Sequence, residues 1–337
     1  RAPSDDPTAA APTPPAAVSR EDQPEPEDAL ARALADLRSE IEIRLRGARA
    51  REVPPVSANE WLALFEQVRR RLRTLGMSER SGDVDDFGLD PEALRRARPL
   101  LALLREQWWR VEVRGFAALP QPPVLFVANR SGLLPYDGLM ISDVVARAHG
   151  EPARPRFLVA DWIITMPFAQ HVLARLGGVR ACRENAERLL RTGRSVVAFP
   201  EGQKGAAKTF RHRYRLQRFG RGGAVRVALE TRALLVPVAV VGAEETHPVL
   251  FKVGTLARAV GLPFLPVTPT FPWLGPLGAL PLPSKWSIRF GEPLATQDLP
   301  ADAARDELLV SRVTEELRQA IQAMLDADVH ARGGVFA

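Results

Sequence analysis

Cysteine is almost absent from this chain of 337 residues, which contains only Cys182. A single thiol cannot form an intrachain disulfide, and it excludes any metal site built from cysteines alone. Such sparing use of cysteine is typical of proteins from a reducing compartment. We interpret Cys182 as a small packing residue.

Signatures of membrane spanning, metal binding and nucleophile-elbow catalysis are also missing. No uncharged run has the composition of a membrane-spanning helix, and no segment resembles a signal peptide. No serine or cysteine stands in a nucleophile-elbow context, and no two histidines are spaced as a metal-binding pair. The sequence therefore predicts no metal centre. The five histidines are His149, His171, His212, His247 and His330.

Charge is distributed unevenly along the chain. Residues 1–28 are acidic, rich in Pro and Ala and without apolar periodicity, and we predict that they are disordered. They hold two arginines and seven acidic residues, a net charge of −5, so that residues 29–337 carry +11 within a chain total of +6. A cationic surface favours phospholipid surfaces, phosphorylated substrates or nucleic acid as partners. Only four basic residues are lysines, so a genome-wide coding preference for arginine is an alternative source of part of this charge.

A helical arm is predicted ahead of the main domain. Residues 29–50 and 59–75 have apolar side chains at helical spacing, which predicts a helical N-terminal arm over residues 29–98. Near its end, Asp90 and Pro91 have the pattern of an N-cap followed by the first helical residue. That helix is predicted to continue to about Trp108.

Residues 99–330 are predicted to form an α/β domain with a mostly parallel sheet flanked by helices. Short continuous apolar runs are typical of strands buried on both faces of a parallel sheet, and here they alternate with helical patterns. The predicted strands are 124–128, 157–160, 196–199, 235–241 and 288–290. The predicted helices are 138–149, 162–176, 184–192, 222–232 and 301–327.

The most informative segment is residues 126–138, Phe-Val-Ala-Asn-Arg-Ser-Gly-Leu-Leu-Pro-Tyr-Asp-Gly. It leads from a buried strand through a polar loop into a new helix, and α/β folds place ligands in loops at the carboxyl ends of parallel strands. The segment resembles the first motif of the glycerolipid (lysophospholipid) acyltransferases, of the 1-acylglycerol-3-phosphate acyltransferase type. In that motif an Asn-His-x-Ser-like start is followed by an Asp at the head of a helix. Asn129 and Asp137 match it, and Arg130 stands in the place of the His. The resemblance assigns Asn129 and Ser131 to substrate binding.

The resemblance implies acyl transfer. In the family the His, oriented by the Asp, removes a proton from an acceptor hydroxyl, which attacks an acyl thioester without an acyl-enzyme intermediate. A guanidinium has no acceptor lone pair and stays protonated, so Arg130 cannot be this base. Six residues separate Arg130 from Asp137 where the commoner family pattern has four, and the roles left to Arg130 are pairing with Asp137 or holding a phosphate. His212 and His247 are candidates for a replacement base.

Three further motifs of the family follow in the expected order. Gly177 with Arg183 matches the second motif, a Gly with an Arg six residues on. The run Phe199-Pro200-Glu201-Gly202 matches the third, and Val236-Pro237-Val238 with Gly242 matches the fourth. Each motif alone is weak, but four in register across residues 124–242 are a strong match. A family-like ending at Gly291-Glu292-Pro293 extends the resemblance to about residues 100–295.

The third motif also predicts a substrate site on physical grounds. Gly202 permits close backbone approach, and Arg183 and Lys204 offer charge-assisted contacts to a phosphate. Glu201 is predicted to accept a hydrogen bond from a hydroxyl or to orient an arginine. The resemblance assigns Pro200 and Pro237 to substrate binding as well. The alternative is an exposed turn with solvated charges.

The stretch from Gly202 to Leu229 has no acidic residue but eight basic ones, interleaved with aromatic side chains. It is a candidate to hold the phosphates of coenzyme A, to lie on anionic lipid or to bind nucleic acid, and a solvated basic loop is the alternative. We favour lipid because no recognisable nucleic-acid module accompanies the stretch. Its basic residues are Lys204, Lys208, Arg211, Arg213, Arg215, Arg218, Arg221 and Arg226.

Residues 259–284 are uncharged and contain seven prolines, which forbid a membrane-spanning helix. Their aromatic and aliphatic side chains predict a rigid loop that covers the core, lines an acyl pocket or dips into a membrane interface. All three interpretations remain open at this point, with core covering the simplest.

The sequence thus predicts a peripheral-membrane acyltransferase on the cytoplasmic face. It would transfer a fatty acyl group from an acyl-CoA or acyl carrier protein thioester to a lysophospholipid or glycerol-phosphate-type lipid, with no further cofactor. The alternatives are a lipid or acyl-CoA binder that lost the chemistry through Arg130, and a nucleic-acid-binding protein. The leading hypothesis requires that Asp137 and the turn at Glu201 and Gly202 border one cavity, wide enough for a fatty chain and cationic at its mouth.

Overall fold

The computed structural model describes residues 83–115, 123–132, 134–164, 169–253, 265–273, 278, 280–294, 296, 298–300 and 302–332. All of them belong to one compact unit, Pro54–Ala337, and a second unit, Arg1–Val53, lies outside the described residues. The predicted disordered segment 1–28 and the predicted arm helices at 29–50 and 59–75 also lie outside them.

The first described helix, α1 (Pro91–Leu103), begins where the sequence predicts. The carboxylate of Asp90 accepts hydrogen bonds from two backbone N–H groups of the first turn, over 2.9 and 3.2 Å, and Pro91 occupies a place where no N–H is needed. A π-helical turn, Leu104–Trp108, carries the chain to the predicted end. The helix is continuous across the predicted arm boundary after residue 98, and the three-part division of the chain stays a prediction.

Nine strands form two sheets in the described part of the chain. They are β1 Glu112–Arg114, β2 Val124–Ala128, β3 Arg156–Val159, β4 Gly178–Arg180, β5 Val196–Ala198, β6 Leu234–Val241, β7 Phe251–Val253, β8 Leu265–Val267 and β9 Ser287–Phe290. The main sheet has the order β1-β9-β6-β2-β5-β3-β4, and all its pairs are parallel except β6 with β9. The five predicted strands are confirmed to within one residue at each end. The sequence did not predict β1, β4, β7 and β8, which have three residues each and are too short to show a period.

Helices cover this sheet. Besides α1 they are α2 Tyr136–His149, α3 Asp161–Ile164, α4 Ala169–Arg175, α5 Arg183–Arg191, α6 Gly202–Ala206, α7 Gly223–Thr231 and α8 Glu307–Ala331. The predictions for α2, α5 and α7 are confirmed. The segment predicted as one helix over 162–176 contains α3 and α4, and residues 165–168 lie outside the described part. The last helix starts at 307 instead of 301, because the carboxylate of Asp306 accepts hydrogen bonds from the N–H groups of Leu308 and Leu309 and so caps the helix there.

Both faces of the sheet are buried, which explains the continuous apolar runs of its strands. Leu125 and Val127 of β2 pack on one face, in a cluster with side chains of α5, α7 and α8. Phe126 and Ala128 pack on the other face, with side chains of α1, α2 and α3. A strand that is covered on both sides has no face in contact with water, so polar residues do not alternate with apolar ones along it. The prediction of a mostly parallel sheet flanked by helices is confirmed.

The proline-rich segment 259–284 is described only in part. Its strand β8 pairs in antiparallel fashion with β7, which precedes the segment, although residues 254–264 between the two strands lie outside the described part. Trp273 and Leu280 are 75% and 48% exposed, so these two side chains do not cover the core. The segment returns to the main body at Pro281, whose carbonyl accepts a hydrogen bond from the indole N–H of Trp108 over 3.0 Å.

Candidate functional site

The first and third sequence motifs meet at the carboxyl ends of two adjacent strands. β2 and β5 pair in parallel, with Val127 opposite Ala198, so the segments that follow them leave the sheet at the same edge. The backbone N–H of Arg130 donates to Oε1 of Glu201 over 2.8 Å. The loop after β2 and the turn after β5 are therefore joined directly.

Asp137, in the first turn of α2, closes the loop after β2. Its buried carboxylate accepts a hydrogen bond from Nη1 of Arg130 over 3.2 Å, and from the N–H and Oγ of Ser131 over 3.0 and 3.2 Å. The N–H of Gly138 donates to the same group over 2.8 Å. The six-residue separation thus brings Asp137 onto Arg130, which is one of the two roles left to Arg130 by its chemistry.

The guanidinium of Arg130 also lies over an aromatic ring. Its Cζ is 5.0 Å from the centroid of Phe199, and the negative face of the ring stabilises a cation there. Asp137 and Phe199 contact the side chain of Arg130, while Glu201 accepts a hydrogen bond from its backbone N–H. The positive charge of Arg130 is therefore fixed in place.

Glu201 is buried and connects three segments. Besides the bond from Arg130, its Oε2 accepts a hydrogen bond from the N–H of Gln217 over 2.7 Å and lies 3.3 Å from Nζ of Lys208. Both carboxylate oxygens face donors of the protein itself. Of the two roles predicted for Glu201, its contacts match the positioning of an arginine, through the backbone of Arg130.

Lys208 bridges Glu201 to Glu244, with Nζ 2.9 Å from Oε1 of Glu244. Burial would lower the pKa of Lys208, but the charges of Glu244 and Glu201 outweigh burial and raise that pKa. Burial raises the pKa of Glu244 to about 7, against the opposing charge of Lys208. No sequence motif marks this cluster; the available signal was an acidic pair, Glu244 and Glu245, shortly after a fully apolar strand.

Asn129 and Pro237, which the sequence predicts to bind substrate, make hydrogen bonds within the sheet. The amide of Asn129 is fully buried, donates to the carbonyl of Val240 over 3.0 Å and accepts from its N–H over 2.7 Å. The carbonyl of Pro237 accepts from the N–H of Gly291 over 2.8 Å. These contacts hold β6 to the end of β2 and to the residue after β9, and neither residue lines the cavity beside Arg130.

That cavity has a volume of about 380 Å³ and lies between the sheet and helices α5, α7 and α8. Its charged side chains are Arg130, Arg183 and Arg221. Its walls are mostly apolar and include Leu125, Leu158, Ala186, Phe199, Val225 and Leu317. A cavity of this size, with an apolar wall and a few charged groups, has the character of a ligand site.

Four of the ten predicted site residues line this cavity: Arg130, Arg183, Pro200 and Gly202. Asp137, Ser131 and Glu201 lie behind Arg130 and are linked to it directly or through Asp137. Lys204 is exposed on α6 and does not line the cavity. The expectation that Asp137 and Gly202 border one cavity is thus met by Gly202 alone, because Arg130 stands between Asp137 and the cavity.

Two residues that line the cavity, Arg221 and Cys182, were not predicted as site residues. Arg221 is exposed and directly precedes Gly222, whose positive φ of 72° starts α7. Cys182, interpreted above as a packing residue, is half-buried and lines the cavity next to Arg183. Arg183 itself forms ion pairs with two glutamates at the surface, and these hydrogen bonds raise its pKa. The signal for Arg221 in the sequence was its position in the basic stretch from Gly202 to Leu229.

Neither candidate for a replacement base lines the cavity. The ring of His247 stacks on Tyr136, with centroids 5.9 Å apart and an interplanar angle of 6°. His212 is exposed, with Nδ1 2.9 Å from Oγ1 of Thr209. Tyr136, which stacks on His247, is not a base either: desolvation raises its pKa to about 12, so the phenol stays protonated near neutrality. Among the described residues, no three His, Cys, Asp or Glu side chains are grouped as metal ligands.

The basic stretch is not a single solvated loop. The side chain of Lys208 is 3% exposed, Arg226 pairs with Glu307, and Arg213 lies over the ring of Phe210 at 4.3 Å. The exposed members are Lys204, Arg211, Arg215, Arg218 and Arg221. None of the helices formed by the described residues combines the length and the apolar composition needed to cross a bilayer.

Comparison with known proteins gives three results. The family described as Acyltransferase matches residues 110–241. The chain is 45% identical over 255 residues to Uncharacterized protein ML2427 of Mycobacterium leprae, which covers 75% of this chain and 70% of that protein. It is 44% identical over 255 residues to Uncharacterized protein Rv0502 of Mycobacterium tuberculosis, covering 75% and 71%. The crystal structure of the 1-acyl-sn-glycerophosphate (LPA) acyltransferase PlsC from Thermotoga maritima is similar, with a TM-score of 0.49, 13% identity and coverage of 81% of this chain and 95% of that one.

The matched family range contains the elements that build the site. It spans β2 through β6, the strands whose carboxyl ends carry Arg130, Arg183 and Glu201, and it also includes Asp137. The similarity to the mycobacterial proteins extends over three quarters of the chain. The sequence motifs, the strands that position them and the family match agree, and the chain belongs to the Acyltransferase family.

Proposed function

We propose that this protein is a glycerolipid acyltransferase. It transfers a fatty acyl group from an acyl-CoA or acyl carrier protein thioester to a hydroxyl of a lysophospholipid or glycerol-phosphate-type lipid. The observation that carries the proposal is the cavity of about 380 Å³ beside Arg130, which combines apolar walls with three arginines. It supplies one site for a fatty chain and for an anionic head group.

The two parts of the cavity suit the two parts of such a substrate. Each methylene group removed from water contributes about 0.8 kcal/mol, so an apolar wall favours a long acyl chain. Arg183 and Arg221 line the same cavity and would make charge-assisted hydrogen bonds to phosphate oxygens. Both the acyl donor and the lipid acceptor carry a phosphate.

The proposed reaction exchanges a thioester for an oxygen ester. The hydroxyl oxygen of the acceptor bonds to the thioester carbonyl carbon, the C–S bond breaks, and the hydroxyl proton ends on the departing thiol. Negative charge develops on the carbonyl oxygen on the way. Arg130, fixed by Asp137 and Phe199 at the cavity wall, is placed to stabilise that charge or to hold a phosphate. It cannot take the proton, because a guanidinium has no acceptor lone pair.

We also propose that Arg130 occupies the place of the catalytic histidine of related acyltransferases. Loss of a general base typically lowers the rate about 10²- to 10⁴-fold. The remaining rate then depends on positioning and on charge stabilisation. Asp137 orients the guanidinium of Arg130 and Glu201 fixes its backbone, so both act as positioning residues.

The proposal includes a place of action. The substrates are membrane lipids, and the net charge of +11 on residues 29–337 attracts the protein to anionic lipid. We therefore place the protein at the cytoplasmic face of the membrane, with the acyl thioester as co-substrate and no further cofactor.

A lipid or acyl-CoA binder without turnover is the second candidate. The observation that favours it concerns the carboxylates of Asp137 and Glu201. Both accept hydrogen bonds from donors of the protein itself, including Arg130, so neither is free to act as a base. Nucleic-acid binding ranks below both candidates. Lys208, Arg226 and Arg213 of the basic stretch contact protein groups, which reduces the charge presented to a phosphate backbone.

Acyl transfer is tested with purified protein, radiolabelled acyl-CoA, and a panel of lysolipids and glycerol 3-phosphate. We expect product above the rate without protein, and a rate about 10²-fold higher in Arg130→His, which places a base beside Asp137. Arg221→His is the matched control, because it changes an arginine of the same cavity that has no carboxylate contact in the described structure. Saturable lipid binding without turnover in all three proteins would establish the binder instead.

A further inference from the structure

Large exposed hydrophobic side chains are concentrated on one excursion of the chain, residues 247–281, which the proposed chemistry does not use. Seven such side chains occur among the described residues, and four lie on this excursion: Leu250, Phe251, Trp273 and Leu280. We call these four the apolar patch. Single exposed apolar side chains are ordinary, whereas several on one surface element indicate an interaction site.

Backbone hydrogen bonds gather the apolar patch on one element. The N–H of Leu282 donates to the carbonyl of Thr246 over 2.9 Å, which closes the excursion at its base. Phe251 of β7 pairs with Val267 of β8, and a hydrogen-bonded turn after β8 leads to Trp273. Phe251 and Trp273 are 68% and 75% exposed. The two largest side chains of the patch therefore lie on the same hydrogen-bonded element.

The charge of this element has one sign. No Asp or Glu occurs in residues 246–291 of the sequence, and Lys252 of β7 is exposed. The N–H of Phe210 donates to the carbonyl of Val249 over 2.8 Å, which brings the turn with the exposed Arg211 beside β7. Apolar and aromatic side chains flanked by cations, without anions, complement the surface of an anionic bilayer.

We propose that the apolar patch docks this protein on anionic membranes. The apolar patch enters the headgroup region, and Lys252 and Arg211 lie near lipid phosphates. Trp273 suits that depth, because an indole is apolar and carries one N–H donor. The inference rests on the proposed function in one respect, that a lipid acceptor resides in the membrane.

Co-sedimentation with vesicles tests the docking surface. The full chain is mixed with sucrose-loaded vesicles of phosphatidylcholine, with or without phosphatidylglycerol, in the absence of acyl donor and lysolipid. We expect binding to be tighter when phosphatidylglycerol is present. The double variant Phe251→Ser/Trp273→Ser should lower the partition coefficient at least about tenfold, because two large side chains no longer gain apolar burial.

Leu308→Ser is the matched control. Leu308 is 79% exposed on α8, outside the apolar patch, so its loss should leave vesicle binding unchanged. All substituted side chains are exposed, and urea unfolding midpoints check that each variant folds. Equal partition of the double variant and the wild-type chain would overturn the proposal. An equal loss of binding in Leu308→Ser would overturn it as well.

Two further measurements separate a bilayer from a protein partner. Vesicles should shift tryptophan emission to shorter wavelength, and Trp273→Phe should reduce that shift, since Trp273 is 75% exposed whereas Trp109 and Trp286 are already buried. Light scattering gives the mass in solution. A dimer that the double variant converts to a monomer, with vesicle binding unchanged, would assign the patch to a second copy of this chain. Because no acyl transfer is measured, failure of docking and failure of the proposed function are separate results.

Discussion

Arg130 and Asp137 form a buried ion pair, with Nη1 of the arginine 3.2 Å from Oδ1 of the aspartate. The aspartate also accepts the backbone N–H of Ser131, so the pair is built into the loop that connects β2 to α2. The carboxylate of Asp137 thus orients the guanidinium of Arg130. A guanidinium keeps its proton near neutrality, and this affects both the pH dependence and the stability of the site.

The Arg130→His variant should acquire a pH dependence that the wild-type chain lacks. A histidine must be neutral to accept the hydroxyl proton, its ordinary pKa is about 6.5, and a neighbouring carboxylate raises that value. We expect the rate of acyl transfer to rise with pH through a single pKa at or above about 6.5. Initial rates at saturating acyl-CoA measure the effect. Arg130→His/Asp137→Asn should lose much of the gain, and a gain independent of pH would show that the new side chain is not a base.

Removing Asp137 alone should destabilise the fold more than replacing the pair. Asp137→Ala deprives a buried guanidinium of its carboxylate, which typically costs about 3 to 5 kcal/mol. Arg130→Met/Asp137→Asn removes both charges and keeps an acceptor for the N–H of Ser131, so its cost should be smaller. Urea denaturation gives the free energies of unfolding. Asp161→Ala is the control, because Asp161 pairs with Arg180 at the surface, where a pair contributes about 0 to 1 kcal/mol. Equal losses in Asp137→Ala and Asp161→Ala would contradict this account.

The strands that position the site could be predicted because their burial leaves a pattern in the sequence. β2, β5 and β6 are apolar without interruption since helices cover both faces of the sheet. The short strands β1 and β4 could not be predicted, because three residues contain too little periodicity to distinguish a strand from a loop. Their place is set by pairing with β9 and β3, and such contacts between distant residues leave no local signal.

The site itself was predicted less completely than the fold. The motifs identified the strand ends that carry Arg130 and Glu201, since glycines and charged residues that follow apolar runs are visible in the sequence. The direction of each side chain was not visible. Glu201 turns inward because Lys208, seven residues later, folds back against it, and Asn129 turns inward to bond β6. These partners depend on tertiary contacts, which leave no local signal in the sequence.

The pKa of Glu244 predicts a pH dependence of stability. Burial raises that pKa to about 7 from its usual value of 4.5, so the folded state binds this proton more tightly than the unfolded state. The group therefore favours folding most below about pH 4.5, and its contribution declines as the pH rises to about 7. A pKa difference of one between the folded and unfolded states corresponds to about 1.4 kcal/mol, so the decline is on the order of a few kcal/mol.

Glu244→Gln removes this titration and leaves Lys208 paired with Glu201. The unfolding free energy of the wild-type chain, minus that of the variant, should fall between about pH 5 and 7 and then stay constant. Urea unfolding at several pH values measures it. Glu315→Gln is the control, because hydrogen bonds from Arg318 and Gln319 lower the pKa of the exposed Glu315 to about 2, so its titration ends below this window. If the difference in unfolding free energy between the wild-type chain and Glu244→Gln stayed flat or rose with pH, the carboxylate of Glu244 would be kept ionised by Lys208.

Cys182 should be protected from alkylation when a fatty chain fills the cavity. It is the only cysteine of the chain, is half-buried, and lines the cavity together with Leu158 and Ala186. Alkylation requires access to the thiolate, which a chain lying along these walls would block. We expect palmitoyl-CoA to slow modification by N-ethylmaleimide several-fold, as measured by intact-protein mass spectrometry, and coenzyme A without an acyl chain to slow it much less. Protein unfolded in urea controls for direct effects of palmitoyl-CoA on the reagent. Equal protection by the two ligands would assign the cavity to the phosphates and not to the acyl chain, because only the chain distinguishes them.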